Sequence, residues 1–199
     1  MAIVRIYKSL FKWLGRFWAA YGRARAIILS PYFHLALVVN LVMYEKWRHE
    51  TWWTDVISSL PNLIGFTLSG YAILMSFGSE SFRKKLSGQR KPNEASPFVR
   101  INSTFVHFIF VQVLAVVSAI IASAQPFAKL LRPWISSITQ NVYVISFAEA
   151  AAIFCAFFGN LLFVYAWVLA LAATMAVFRL SWHYDSAVSK ERRPPEQDG

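Results

Sequence analysis

Four long stretches without charged residues constrain what this chain can fold into. They cover residues 26–44, 56–79, 101–127 and 150–178, and none of them contains Asp, Glu, Lys or Arg. About 20 consecutive apolar residues in a helix cross a hydrocarbon core of about 30 Å. Backbone polar groups in lipid must be satisfied within the segment itself, and a helix achieves this. The sequence therefore predicts an all-α membrane protein with four transmembrane helices.

Composition supports this class and argues against several others. Hydrophobic residues make up 57% of the chain and charged residues 15%, whereas soluble domains average about 25% charged residues. The formal charge of +10 comes from basic residues that flank the spans, where they face anionic lipid headgroups, so we do not expect a nucleic-acid partner. No nucleophile, metal cluster or phosphate-binding loop stands out. The sequence thus predicts no enzymatic activity, no metal and no cofactor.

The distribution of Lys and Arg predicts the orientation. Sixteen of these residues lie in the N-terminal segment, the loop between the second and third spans, and the tail, while four lie in the other two loops. Basic residues concentrate on the cytoplasmic side of membrane proteins. We therefore expect both termini in the cytoplasm and a location in a bacterial inner membrane. Trp47, Trp52 and Trp53 are predicted to lie in the outer interface, as part of an aromatic belt.

The segment before the first span has the pattern of an amphipathic helix. Arg5, Lys8, Lys12 and Arg16 recur at helical spacing, and the other side carries large apolar residues: Ile6, Leu10, Trp13, Phe17 and Tyr21. Basic amphipathic helices of this kind lie in the membrane interface. Residues 1–22 are thus predicted to be an interfacial helix, 23–185 the four-span domain and 186–199 a disordered cytoplasmic tail. Gly22 permits the turn into the first span.

Two loops differ in character. The loop between the second and third spans is basic, and Arg83, Lys84 and Lys85 are its candidate residues for binding lipid headgroups or a cytosolic partner. Its simplest interpretation is a solvated segment that determines topology. The outer loop 124–149 is unusually apolar for a connector, which suggests an interfacial or re-entrant element.

Small and polar residues recur on two of the predicted spans. The second span carries Asn62, Gly65, Ser69, Ala72 and Ser76 at helical spacing, and the last span carries Ala152, Ala156 and Asn160. Small residues allow helices to approach closely in lipid, so each stripe should face another helix. That helix can belong to the same chain or to another copy, and the stripe can also line a pore.

His34 and His107 lie at similar depths in the first and third spans. Ionisable residues inside a membrane are functional candidates because their burial in lipid is costly. The simpler role is a neutral histidine that is hydrogen-bonded between helices, and the alternative is proton sensing or pore lining. Two histidines without a nearby carboxylate or cysteine do not indicate a metal site.

Residues 60–78, followed by Ser81-Phe82-Arg83, resemble the second span of bestrophins, which are four-span oligomeric anion channels with both termini inside. The resemblance is one of membrane layout and is confined to this segment of the chain. Bestrophins carry a long helical cytosolic insertion between their second and third spans, and this chain has only a short loop there. Their pentameric state, permeant ion and gate therefore do not transfer to this chain.

Three functional classes remain. An enzyme or a secondary transporter is the least favoured, because transporters usually need discontinuous helices and larger repeats and no acid, base or nucleophile converges here. The other two hypotheses are better supported. One is a non-enzymatic homo-oligomeric pore or channel component, favoured by the small-residue stripes and the scarcity of charge within the spans. The other is a membrane anchor, sensor or scaffold subunit that recruits a cytosolic protein, favoured by the basic inner face. Small proteins of the second kind occur in bacterial antiphage defence complexes.

Overall fold

Helices make up 92% of the residues that the structure describes, and no strand occurs among them. The structure is a computed structural model that describes residues 2–49, 51–76, 84, 87–88, 95–125, 127–139 and 141–192. Its helices are α1 (Ala2–Tyr21), α2 (Arg23–Ile28), α3 (Pro31–Val42), α4 (Tyr44–His49), α5 (Trp52–Ser76), α6 (Pro97–Ser123), α7 (Arg132–Ile138) and α8 (Val142–Arg192), with a π-helical turn at Phe127–Leu131.

The chain turns sharply between α1 and α2. Gly22 has a φ of 106° there, in the left-handed region. Glycine adopts this conformation without the steric cost of a Cβ atom. The turn separates α1 from the apolar segment that follows it.

The first charge-free stretch forms two short helices rather than one continuous span. α2 ends at Ile28, Ser30 is extended, and Pro31 is the first residue of α3. Proline has no amide hydrogen and disfavours the helical conformation of the residue before it, so the helix breaks at this point. α3 has 12 residues, or about 18 Å at 1.5 Å per residue, which is less than a full crossing.

Three helices, α5, α6 and α8, are each long and apolar enough to cross a membrane. Their outward faces carry large apolar side chains. Phe66, Ile73 and Phe154, for example, are 77%, 69% and 63% exposed. Exposed apolar surface on this scale requires a partner or a membrane. The apolar helices indicate an integral membrane protein.

α8 is the centre of the helical packing. It contacts α3, α4, α5, α6 and α7. Ala36 of α3, Leu60 of α5 and Ala115 of α6 are fully buried and belong to one core cluster, which continues on α8 with Val164 and Ala166. The small residues in this cluster let the helix axes approach closely. The core therefore lies along the middle of α8.

Two of the tryptophans expected in the interface lie inside the protein instead. Trp47 is 7% exposed and Trp52 is 2% exposed. The Trp47 ring packs edge-on against Phe157, with 5.3 Å between ring centroids, and its Nε1 donates a hydrogen bond to the Asn40 carbonyl oxygen at 2.8 Å. A buried indole needs such a partner for its N–H, and the α3–α4 corner supplies it.

α8 extends beyond the predicted last span at both ends. It has 51 residues, and its helix continues through residues 186–192, which the sequence analysis assigned to a disordered tail. Residues 193–199 lie outside the described residues. Within the predicted outer loop, the π-helical turn and α7 form helical structure. Arg132 of α7 forms an ion pair with Glu149 of α8 at 3.4 Å, which connects this loop to the start of the long helix.

Candidate functional site

The first polar contact inside the protein joins α3 to α8. Asn160 Nδ2 donates a hydrogen bond to Asn40 Oδ1 at 2.8 Å, and both residues are buried. Asn40 Nδ2 in turn lies 3.4 Å from the Phe157 carbonyl oxygen, to which it donates. Each amide thus finds a partner within the core, as buried polar groups must. The pair connects the short helix α3 to the centre of the fold.

A second polar contact joins α5 to α6 through Thr67 and Gln112. The Thr67 hydroxyl donates to the Leu63 carbonyl oxygen at 2.7 Å and accepts a hydrogen bond from Gln112 Nε2 at 3.1 Å. Gln112 is fully buried, and its Oε1 has no hydrogen-bond partner among the described residues. The contact fixes the rotation of α5 relative to α6, because it can form only when Thr67 faces inward.

A third cluster joins α1 to the membrane helices. The ring of Tyr21 stacks on that of His107, with 4.1 Å between centroids, and His107 Nε2 lies 3.3 Å from the Tyr165 hydroxyl. Burial raises the pKa of Tyr21, and its interaction with the Tyr165 hydroxyl opposes this shift. His107 therefore lies between an α1 tyrosine and an α8 tyrosine, and the three side chains attach α1 to the bundle.

His34 has a different environment from His107. Its Nε2 donates a hydrogen bond to the Ile28 carbonyl oxygen at 2.7 Å, and the residue is exposed. This bond crosses the break between α2 and α3 and satisfies a carbonyl at the end of α2, which has no partner within its own helix. The predicted pair of histidines thus comprises one residue that caps a helix end and one that lies in a buried cluster.

The two small-residue stripes point in different directions. On α8, Asn160 is buried and Ala152 and Ala156 are partly buried, and Ala156 packs against the core cluster. On α5, all of the stripe residues are exposed: Asn62, Gly65, Ser69, Ala72 and Ser76. The α8 stripe therefore packs within the chain, whereas the α5 stripe is not packed against any of the described residues.

The α5 stripe lies on the opposite face from the residues that α5 buries. Trp52, Val56, Leu60 and Thr67 are the buried residues of this helix, and at 100° per residue they centre about half a turn from the stripe. A Cβ added to Gly65 would meet no atom within 4 Å. The stripe is thus an open strip of small residues along most of a long apolar helix.

The basic candidates on α1 lie along an exposed side. Arg5, Lys8, Lys12 and Arg16 are all exposed, and the Arg16 guanidinium lies over the Trp13 ring at 4.8 Å from its centroid. Of the predicted basic group in the loop, Lys84 is described and exposed. Arg83 and Lys85 lie outside the described residues.

A close contact between Trp52 and Gly159 was not anticipated from the sequence. The Trp52 indole occupies the space where any other residue at position 159 would place its Cβ. Glycine is the residue that allows another group to approach the backbone this closely. The only sequence signal for the contact was that Gly159 adjoins the small-residue stripe of α8.

Within the part of the chain that the structure describes, no group of three or more His, Cys, Asp and Glu residues is placed to hold a metal ion. No protein-family model, curated protein or solved structure matches this chain. The proposals below therefore depend on the geometry of its own residues.

Proposed function

We propose that this chain is the subunit of a non-enzymatic oligomeric pore. It spans the membrane four times, with α2 and α3 together forming the first, broken span. The interfacial helix α1 precedes this span, and both termini face the cytoplasm. Protomers associate through the exposed stripe of α5. The open stripe on that helix is the observation that carries the proposal.

The chemistry of the stripe supports contact with another copy rather than with lipid. A lipid-facing surface favours large apolar side chains, and α5 carries these on either side of the stripe, where Phe66, Leu68 and Ile73 are exposed. Between them, Gly65 and Ala72 leave room for a second helix to approach. A head-to-tail contact of this kind, repeated with a rotation that closes, assembles identical subunits into a ring.

The polar groups of the stripe are better placed to line an aqueous path than the polar groups buried inside one chain. Asn40, Gln112 and Asn160 are inaccessible, and they are engaged with other groups of the core. The Ser69 and Ser76 hydroxyls, by contrast, are exposed. They donate to carbonyl oxygens of their own helix, at 2.9 Å from Ser69 to Gly65, and retain acceptor capacity for water or a cation. Conduction would therefore run between protomers.

The test compares two glycines of α5. A Cβ at either Gly65 or Gly70 would meet no atom within 4 Å, but only Gly65 belongs to the stripe. We expect Gly65→Leu to shift the purified protein to smaller species, measured by size-exclusion chromatography with light scattering, and to abolish ion flux in liposomes. Gly70→Leu should preserve both properties. A wild-type monomer in mild detergent and in nanodiscs, with no flux at any voltage or pH, would refute the pore.

A scaffold function is the second candidate, and the length of α8 favours it. Its 51 residues measure about 77 Å, more than twice a hydrocarbon core of about 30 Å. The helical residues 179–192 are thus available to a cytosolic protein. If this candidate is correct, a protein that co-purifies with the chain should be lost when Arg83, Lys84 and Lys85 are changed to Glu. The same protein should be retained when three cations of α1, Lys8, Lys12 and Arg16, are changed to Glu.

A further inference from the structure

A groove of about 1020 Å³ lies between the C-terminal half of α1 and the start of α6, beside the point where the two helices contact each other. Trp13, Arg16 and Phe17 line it on the α1 side, and Val99 and Asn102 line it on the α6 side. A volume of this size is at the upper end of the range for small-molecule sites. The groove is therefore larger than a phosphate ion requires and can accept a headgroup together with the upper part of its acyl chains.

Among the residues that the structure describes, the lining of the groove combines one cation with neutral polar and apolar groups. Arg16 is its charged residue, and none of the described lining residues is Asp or Glu. The guanidinium of Arg16 presents several donors in a planar arrangement that matches phosphate oxygens, and it lies over the Trp13 ring. The Asn102 amide can supply further donors to an anion. The charge of the groove thus favours an anionic occupant.

The apolar part of the groove distinguishes a lipid from a soluble phosphate. Phe17, Val99 and Val106 line it beside the polar groups, and α6 is one of the helices that can cross a membrane. The lined segment of α6 runs from its N-cap, Ser96, to Val106. This length is about 15 Å at 1.5 Å per residue, which covers the headgroup region and the adjoining hydrocarbon. A soluble phosphate compound would leave these apolar walls without a partner.

We propose that this groove is a binding site for one anionic glycerophospholipid. Its phosphate is held by Arg16 and Asn102, and its acyl chains run along Phe17, Val99 and Val106. The lipid fills the space between α1 and α6 and so stabilises their contact. The site differs from general attraction of the α1 cations to the membrane, because that attraction needs no groove and treats Arg16 and Lys8 alike. It also does not depend on the pore proposal.

The test measures lipid retained by the full-length protein with native mass spectrometry. The probes are phosphatidylglycerol and phosphatidylcholine with the same acyl chains. We expect the wild type to retain phosphatidylglycerol in preference. Arg16→Gln should weaken this binding roughly tenfold or more, since it removes charge-assisted hydrogen bonds to the phosphate. The matched control is Lys8→Gln, which removes a cation from the same helix outside the groove, and it should leave binding unchanged.

A second pair of variants tests the groove itself. Val99 and Val113 are similarly exposed valines of α6, at 45% and 42%, and only Val99 lines the groove. Val99→Trp should block the lipid, and Val113→Trp should not. Equal losses in Arg16→Gln and Lys8→Gln would overturn the proposal, as would equal retention of phosphatidylcholine. Displacement of the lipid by sn-glycerol 3-phosphate at an equal concentration would assign the groove to a soluble phosphate instead and would also overturn it.

Discussion

The indole of Trp52 lies directly against the backbone of Gly159, which places the first residue of α5 beside the middle of α8. Both residues are buried. Together with the Lys46–Asp55 ion pair at 2.9 Å, this contact holds the α4–α5 corner against the long helix. Further along α5, the hydrogen bond between Thr67 and Gln112 connects this helix to α6.

This contact predicts that even a methyl group at position 159 destabilises the protein. Gly159→Ala should lower the free energy of unfolding in detergent by about 1–3 kcal/mol, because the added methyl group overlaps the Trp52 ring. Gly70→Ala is the matched control, since its Cβ meets no neighbour and it lies outside the α5 stripe, and it should be neutral or stabilising. Trp52→Phe in the Gly159→Ala background should recover part of the loss. Equal stability of the two alanine variants would contradict the contact.

The buried asparagine pair leads to a second prediction. Asn160→Ala leaves the Asn40 side chain without its 2.8 Å partner, so we expect a loss of about 1–2 kcal/mol in unfolding free energy. The matched control is Asn62→Ala, which changes an exposed asparagine. The unfolding free energy of this variant as a monomer should lie within about 0.5 kcal/mol of the wild-type value.

The double variant Asn40→Ala with Asn160→Ala separates the pair from its surroundings. Because the two side chains bond to each other, the double loss should be smaller than the sum of the single losses. Strict additivity would show that the asparagines act independently.

Sequence patterns predicted the helical class and three of the long apolar helices, because charge-free length is a local property. They did not predict the break at Pro31, where the preference of the residue before proline competes with the hydrophobicity of the whole stretch. They also could not assign the two small-residue stripes. Gly65 and Ala156 have the same local pattern, and only the packing of α8 at the centre turns one inward and leaves the other outside.

The same limitation explains the tryptophans and Tyr21. When a tryptophan lies near the end of an apolar stretch, its sequence position fits an interfacial belt and a buried site equally well. Trp52 is buried because Gly159, more than a hundred residues away, leaves space for its ring. Tyr21 was counted as part of the apolar side of α1, and its hydroxyl becomes important only because α6 and α8 bring His107 and Tyr165 to it.

A third prediction concerns the pH dependence of α1 docking. Burial raises the pKa of Tyr21 from its ordinary value of 10.0. A tyrosine with a raised pKa in the docked state contributes stability that is fully present below pH 10. This contribution is lost as the pH rises through the docked pKa, because the undocked form then ionises more readily. The contribution of Tyr21 to α1 docking should therefore be constant below pH 10 and weaken above it.

Distances between spin labels at Phe11 and Val117 measure this docking, since both positions are exposed and lie on α1 and α6. Tyr21→Phe should remove the loss of docking above pH 10. Tyr7→Phe, at an exposed tyrosine of the same helix, should retain it. A loss of docking that persists unchanged in Tyr21→Phe would assign the effect to another group.

The fourth prediction tests the topology on which the pore proposal depends. The charge bias of sixteen to four assigns the loop between α5 and α6 to the cytoplasm and α7 to the outer side. Single cysteines at Ser87 and Ser137, both exposed, should therefore react with a membrane-impermeant maleimide from opposite sides, Ser137 from outside. The background lacks Cys155, the single native cysteine. Labelling of both positions from the same side of sealed vesicles would contradict the four-span arrangement. In that case α6 would not cross the membrane.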